Sequence, residues 1–166
     1  MLKNADFENL FWDFLLTYRQ FLLHGYLHKR VHNDAYQKTP ETWNTLLLSL
    51  ESSIVLGLAK ILEEGYFGRD FENDDLNRIA NRITNIRKSF VAHNDLSKMR
   101  NKASFLEQNQ LNGTDLINII DALKSRAIAY QQAQNAQIQV QALFTATTQS
   151  AMHDLDAWLK SFAEPL

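Results

Sequence analysis

One arginine and one histidine stand out in residues 86–95, whose sequence is IRKSFVAHND. Arg87 lies where apolar residues recur at helical spacing, and an ideal helix places it among them. A buried guanidinium keeps its proton, so it needs a carboxylate, a phosphate or water around its donors. His93, six positions later, is of the side-chain type that exchanges protons near neutral pH. Together the two residues could stabilise a phosphate and move a proton.

These two functions are what cleavage of RNA without a metal ion requires. The arginine would stabilise negative charge on a phosphate oxygen in the transition state, and the histidine would transfer the proton. The attacking group would be the 2′-hydroxyl, which DNA lacks, so RNA is the expected partner. Because Arg87 and His93 are about 120° apart around a straight helix, either the helix unwinds before His93 or two copies meet in a twofold dimer.

Basic residues surround this pair. Residues 78–102 contain seven basic side chains and one acid, so this segment carries +6 although the whole chain carries −2. Next to a phosphate-cleaving site these charges would hold the RNA backbone and make binding sensitive to salt, although a solvated loop would explain them equally well. The expected substrate-binding residues are Lys88, Asn94, Asp95, Lys98, Arg100 and Lys102.

Glu51 is an acid in the most apolar part of the chain. It either faces solvent or lies behind Arg87 and orients the guanidinium. A core carboxylate such as Glu51 could also make Arg87 a structural residue, because a buried ion pair needs no catalytic explanation.

His24, His28 and His32 are spaced four residues apart on the first predicted helix. Histidines one turn apart can share a zinc or nickel ion, so these three are weak metal candidates. No carboxylate or cysteine completes a convincing set of ligands, and we favour a solvated stripe. The sequence therefore predicts no metal and no other cofactor.

The composition predicts one all-α domain over residues 1–166. Of the chain, 45% is hydrophobic, and five glycines and two prolines leave few places to turn. The absence of cysteine excludes disulfides and thiol chemistry. No signal sequence is recognisable, and serines and charges interrupt the longest apolar stretch, residues 46–61. We therefore expect a cytoplasmic protein that does not enter a membrane.

The order of helices follows from caps and apolar spacing. A first helix is predicted over residues 5–32, with an apolar face that includes Phe7, Phe11, Trp12, Phe14 and Tyr18. A threonine, a proline and an acid at residues 39–41 begin the second helix, whose body over residues 43–62 should be the central core helix. The third helix is predicted over residues 73–95 and the fourth over 113–130. Residues 131–141 fit a short strand or a helix, and helix to residue 162 is favoured.

The chain resembles the HEPN superfamily (higher eukaryotes and prokaryotes nucleotide-binding). The signature of that superfamily is an arginine, four to six residues, and a histidine, which Arg87 and His93 match. The segment IRKSFVAHND, preceded by IVLGLAKIL at residues 54–62, is similar in particular to the abortive-infection AbiU-type branch. The likeness extends to the helical order of nearly the whole chain.

The resemblance implies a homodimeric antiparallel bundle of four to five helices. Many HEPN members are metal-independent endoribonucleases of phage-defence or toxin–antitoxin systems, so an antitoxin protein is a further candidate partner. Arg87 and His93 would then be catalytic. Lys88 replaces the asparagine, aspartate or histidine common after the arginine, and Asp95 replaces a tyrosine found in many members. Because some members bind without cutting, a non-catalytic RNA-, nucleotide- or protein-binding dimer is the alternative.

Overall fold

The computed structural model describes residues 4–30, 34–65, 70–91, 109–134 and 137–161. All regular secondary structure in these ranges is helical, so the predicted all-α bundle is confirmed. Five helices are long and one is short: α1 (Asn4–His28), α2 (Asp34–Lys38), α3 (Pro40–Glu64), α4 (Asp74–Val91), α5 (Gly113–Gln134) and α6 (Val140–Ser161). Helix α1 packs against α3 and α6, and α3 also packs against α4.

An aromatic stripe on α1 forms the centre of the core. Phe11 and Phe14 are fully buried, and Tyr18 is nearly so. The rings of all three pack edge-on against Phe144 of α6, with centroids 5.3 to 5.7 Å apart. Edge-to-face contacts of this kind are favourable beyond the burial of apolar area. The predicted inner face of the first helix is therefore confirmed at these positions.

Helices α1 and α3 approach each other closely at Thr17 and Gly57. A Cβ atom added to Gly57 would lie 2.3 Å from Oγ1 of Thr17, well inside van der Waals contact. Thr17 is 3% exposed, and its hydroxyl donates to the carbonyl oxygen of Asp13 at 3.0 Å. Lys60 of α3 joins the two helices a second time by donating to the Asp13 carboxylate of α1 at 2.7 Å. Glycine is therefore needed at residue 57 for the backbones to come this close.

Local caps fix the helix ends that surround α4. Asn73 accepts hydrogen bonds from two backbone N–H groups in the first turn of α4, which is the usual role of an N-cap asparagine. Gly65 ends α3 in the left-handed conformation, with φ 65°, and its N–H donates to the carbonyl of Leu62. Asn112 and Asp115 each accept from the other's backbone N–H, a reciprocal capping arrangement at the start of α5.

Several predicted boundaries and burial states differ from the structure. The first helix ends at His28 rather than residue 32, and α5 extends to Gln134. Val140 begins α6 and is buried, so among the described residues the strand alternative for residues 131–141 is not found. Trp12 is 52% exposed, because a position next to Phe11 lies about 100° around the helix and leaves the core face.

Helix α3 is less central than its composition predicts. Leu48 and Leu56 are 64% and 43% exposed, although other apolar side chains of the helix are buried. Among the described residues, α3 is also the one helix long and apolar enough to cross a membrane. Its most apolar 18-residue window has mean hydropathy 1.7, and 28% of that window is buried. This is weak support for a membrane span, since the core helices of water-soluble proteins meet the same criteria. The expectation that no membrane is involved stays a prediction.

The Thr17 and Gly57 contact predicts opposite effects for two glycine substitutions. Gly57→Ala should lower the free energy of unfolding by about 1 to 3 kcal/mol, because the new methyl group meets a buried, hydrogen-bonded threonine. Gly25→Ala is the matched control, because a methyl group added at this position of α1 would have nothing within 4 Å. It should raise the free energy by about 0.5 to 1 kcal/mol. Urea unfolding measures both, and equal effects would contradict the close approach.

Candidate functional site

Arg87 lies at the surface where α4 meets α3. Ile79 and Ile83 are buried and turn the apolar face of α4 into the core. Arg87 is one turn beyond Ile83, and its Nη1 donates to Oε2 of Glu63 near the end of α3. The two side chains remain 34% and 27% exposed. The arginine is therefore only partly buried, which corrects the interpretation of a guanidinium enclosed by the core.

The carboxylate that contacts Arg87 is Glu63, and of the two alternatives predicted for Glu51 the structure shows the solvent-facing one. Glu63 lies one position before the last residue of α3, which brings it beside α4. Glu51 is exposed and lies three turns earlier on α3. The sequence places Glu63 near a helix end, because Glu63 comes two residues before the Gly65 cap. The sequence does not indicate which of the acids on α3 faces Arg87.

The other described arginines of the basic segment are also paired with carboxylates. Arg78 pairs with Asp75 one turn away on α4. Arg82 contacts Asp115 at 3.3 Å and donates to the backbone carbonyl of residue 110 at 2.8 Å. Acids on α3, α4 and α5 thus offset part of the positive charge that the sequence places here. Lys88 is exposed on α4. A phosphate would meet a weaker positive field than the local count of +6 predicts.

The remaining predicted site residues lie outside the described ranges. Helix α4 is described to Val91, two positions before His93. His93 lies outside the described residues, so its convergence with Arg87 stays a prediction, as does the homodimer. Five expected substrate-binding residues also lie outside the described ranges: Asn94, Asp95, Lys98, Arg100 and Lys102.

A groove that the sequence analysis did not find runs beside the end of α4. It has a volume of about 650 Å³ and lies between the middle of α3, Ile86 of α4 and the start of α5. Its described walls are mainly aliphatic, and Glu51 is in the lining. No sequence signal pointed to it, because its walls come from three segments that are distant along the chain.

The histidines on α1 form no metal site within the described part of the chain. The rings of His24 and His28 are 6.1 Å apart between centroids, and His32 lies outside that part. No group of three histidine, cysteine, aspartate or glutamate side chains is close enough there to hold an ion. Burial lowers the pKa of His24 below its usual 6.5, an effect that the charge of Glu51 partly opposes and that of His28 adds to.

Comparison with models of protein families, with curated proteins and with solved structures found no match to this chain.

The exposed position of Arg87 predicts a small contribution to stability. Arg87→Ala should lower the free energy of unfolding by less than about 1 kcal/mol, because a partly exposed ion pair is worth little in water. Urea unfolding of the single variants and of Arg87→Ala/Glu63→Ala gives the coupling energy. A loss of about 3 kcal/mol or more would instead identify Arg87 as a buried structural charge.

The lowered pKa of His24 predicts reduced stability in mild acid. Below pH 6.5 the unfolded chain binds more protons at this residue than the folded chain does. The free energy of unfolding should therefore fall as the pH drops below about 6.5 and level off below the folded pKa. NMR titration of the ring should give a pKa under 6.5, and His24→Gln should weaken the pH dependence. The same substitution at His153, whose side chain is 83% exposed, is the control.

Proposed function

We propose that this chain is a HEPN-type, metal-independent endoribonuclease that cleaves RNA by attack of the 2′-hydroxyl. The 2′-oxygen bonds to phosphorus as the bond to the 5′-oxygen breaks, and Arg87 stabilises the charge that develops on the phosphate oxygens. His93 moves the proton, taking it from the 2′-hydroxyl or giving it to the leaving 5′-oxygen. One observation carries the proposal: Arg87 is partly exposed and its guanidinium is held by Glu63 close to the motif histidine in sequence. The all-α bundle agrees with the fold that the resemblance implies.

The ion pair supports a positioning arrangement for the arginine. A guanidinium has five N–H donors in one plane, and the contact with Glu63 uses Nη1. The other donors can bind a phosphate without breaking that contact. Holding a charged donor in place before the substrate arrives is what makes electrostatic stabilisation of a transition state effective. Glu63 thus takes the orienting role that the sequence analysis considered for Glu51.

The proposal includes a homodimer and a biological context. Two copies related by a twofold axis would bring two arginines and two histidines to one cleft. The arginine and histidine types could then reach one phosphate although Arg87 and His93 are about 120° apart on one helix. RNA is the substrate, an antitoxin protein is a candidate partner, and phage defence or a toxin system in the cytoplasm is the candidate setting. These assignments follow the HEPN resemblance.

A second candidate is a HEPN-like dimer that binds RNA, a nucleotide or a protein without cutting. The observation that favours it is the pairing of Arg78, Arg82 and Arg87 with carboxylates, which weakens the attraction for a phosphodiester. The two candidates differ in whether His93 performs chemistry.

RNA cleavage distinguishes the two candidates directly. The purified protein should cut mixed-sequence RNA in the presence of EDTA and leave 2′,3′-cyclic phosphate ends, because the 2′-hydroxyl is the nucleophile. His93→Ala and Arg87→Ala should each reduce the rate by about 100-fold or more. A 2′-deoxy substitution at the cut site should abolish cleavage. Light scattering should give the mass of a dimer.

The matched control is Arg78→Ala, which removes an exposed, paired arginine from the same helix. It should leave the cleavage rate within about twofold of the wild type, since surface substitutions change little. Cleavage that persists in His93→Ala would reject the ribonuclease assignment. RNA binding without cleavage in the wild type would favour the second candidate.

A further inference from the structure

The groove between α3, α4 and α5 has the size and lining of a small-molecule site. Its volume of about 650 Å³ lies within the range of ligand pockets. Its aliphatic lining includes Val55, Leu56, Ile86, Leu111 and Leu116. A flat, uncharged ring system would bury its faces between such aliphatic walls.

Polar groups in the groove restrict what can enter. Glu51 is the one charged side chain in the described lining, and Ser52, Asn109 and Gln110 add hydroxyl and amide groups. A carboxylate accepts hydrogen bonds and repels anions. The charge therefore excludes phosphate and favours an occupant with N–H donors. A nucleobase meets both conditions, because its faces are apolar and its edge carries donors and acceptors.

We propose that this groove binds a guanine base of the RNA, an inference that rests on the proposed ribonuclease function. Guanine is the base whose pairing edge presents two neighbouring donors, the ring N–H and the exocyclic amine, to one carboxylate. Adenine, cytosine and uracil each present a single donor group beside an acceptor, which Glu51 would repel. The bidentate contact with guanine therefore gives this carboxylate a base preference.

The position of the groove on α4 connects the base to the candidate cleavage site. Ile86 lines the groove, and the next residue is Arg87 on the neighbouring face of the same helix. A base held against Ile86 would bring its own strand of phosphates past the end of α4, where the guanidinium lies. Because Glu51 lies about three turns from Glu63 on α3, the selected guanine would lie a few nucleotides from the bond that is cut.

Free nucleosides test the groove separately from cleavage, because they carry no phosphate. Guanosine should bind the intact protein more tightly than adenosine, cytidine or uridine when titrations are followed by NMR. Glu51→Gln should weaken guanosine binding by about tenfold or more, because it replaces a charge-assisted acceptor. Glu41→Gln, an exposed acid in the first turn of the same helix, is the matched control and should leave the affinity unchanged.

A second pair of variants tests the space itself. Ser52→Phe places a ring in the groove and should abolish guanosine binding, whereas Ser49→Phe changes another exposed serine of α3 that is not in the lining and should not. Equal affinity for all four nucleosides, absence of binding, or binding unaffected by both Glu51→Gln and Ser52→Phe would overturn the inference.

Mapping the cut sites separates this inference from the proposed function. Cleavage with cyclic phosphate ends at a fixed distance of a few nucleotides from guanine, and loss of that preference in Glu51→Gln, would support both. Cleavage with no base preference would overturn the groove as a guanine site but would still support the proposed ribonuclease function. Selective guanosine binding without any RNA cleavage would support the groove and overturn the ribonuclease.

Discussion

The close approach of α1 and α3 at Thr17 and Gly57 sets the geometry on which the candidate site depends. Because no Cβ separates the two backbones there, α3 lies against the aromatic stripe of α1 in one position. Helix α3 in turn carries Glu63, which contacts Arg87, and Glu51, which lines the groove.

Ion pairs, rather than burial, determine how charge is arranged around α4. Each described arginine between residues 78 and 87 contacts a carboxylate on its own or a neighbouring helix. Such pairs at the surface add little stability, but they fix the direction of a planar donor. Arg87 is thus held where an anion can reach it. The same pairing reduces nonspecific attraction for nucleic acid.

Buried apolar positions could be predicted from the sequence, whereas the contacts of charged residues could not. The buried phenylalanines of α1 and the helix starts near residues 40 and 113 follow from local spacing, so they could be predicted. The exposure of Trp12 follows from the same helical spacing, because Trp12 lies about 100° around the helix from Phe11. Glu63 could not be identified as the partner of Arg87, since the choice between acids on one helix depends on how α3 and α4 are placed. The groove has no counterpart in any single segment.

By itself the sequence determined the all-α class, most helix starts, the aromatic core stripe and the arginine and histidine motif. These features depend on interactions between residues a few positions apart, whose geometry the helix fixes. Only the tertiary structure decided that Arg87 is partly exposed, that Glu63 holds it and that Glu51 lines a groove. Those outcomes depend on distances between helices, which arise when side chains far apart in the chain pack together.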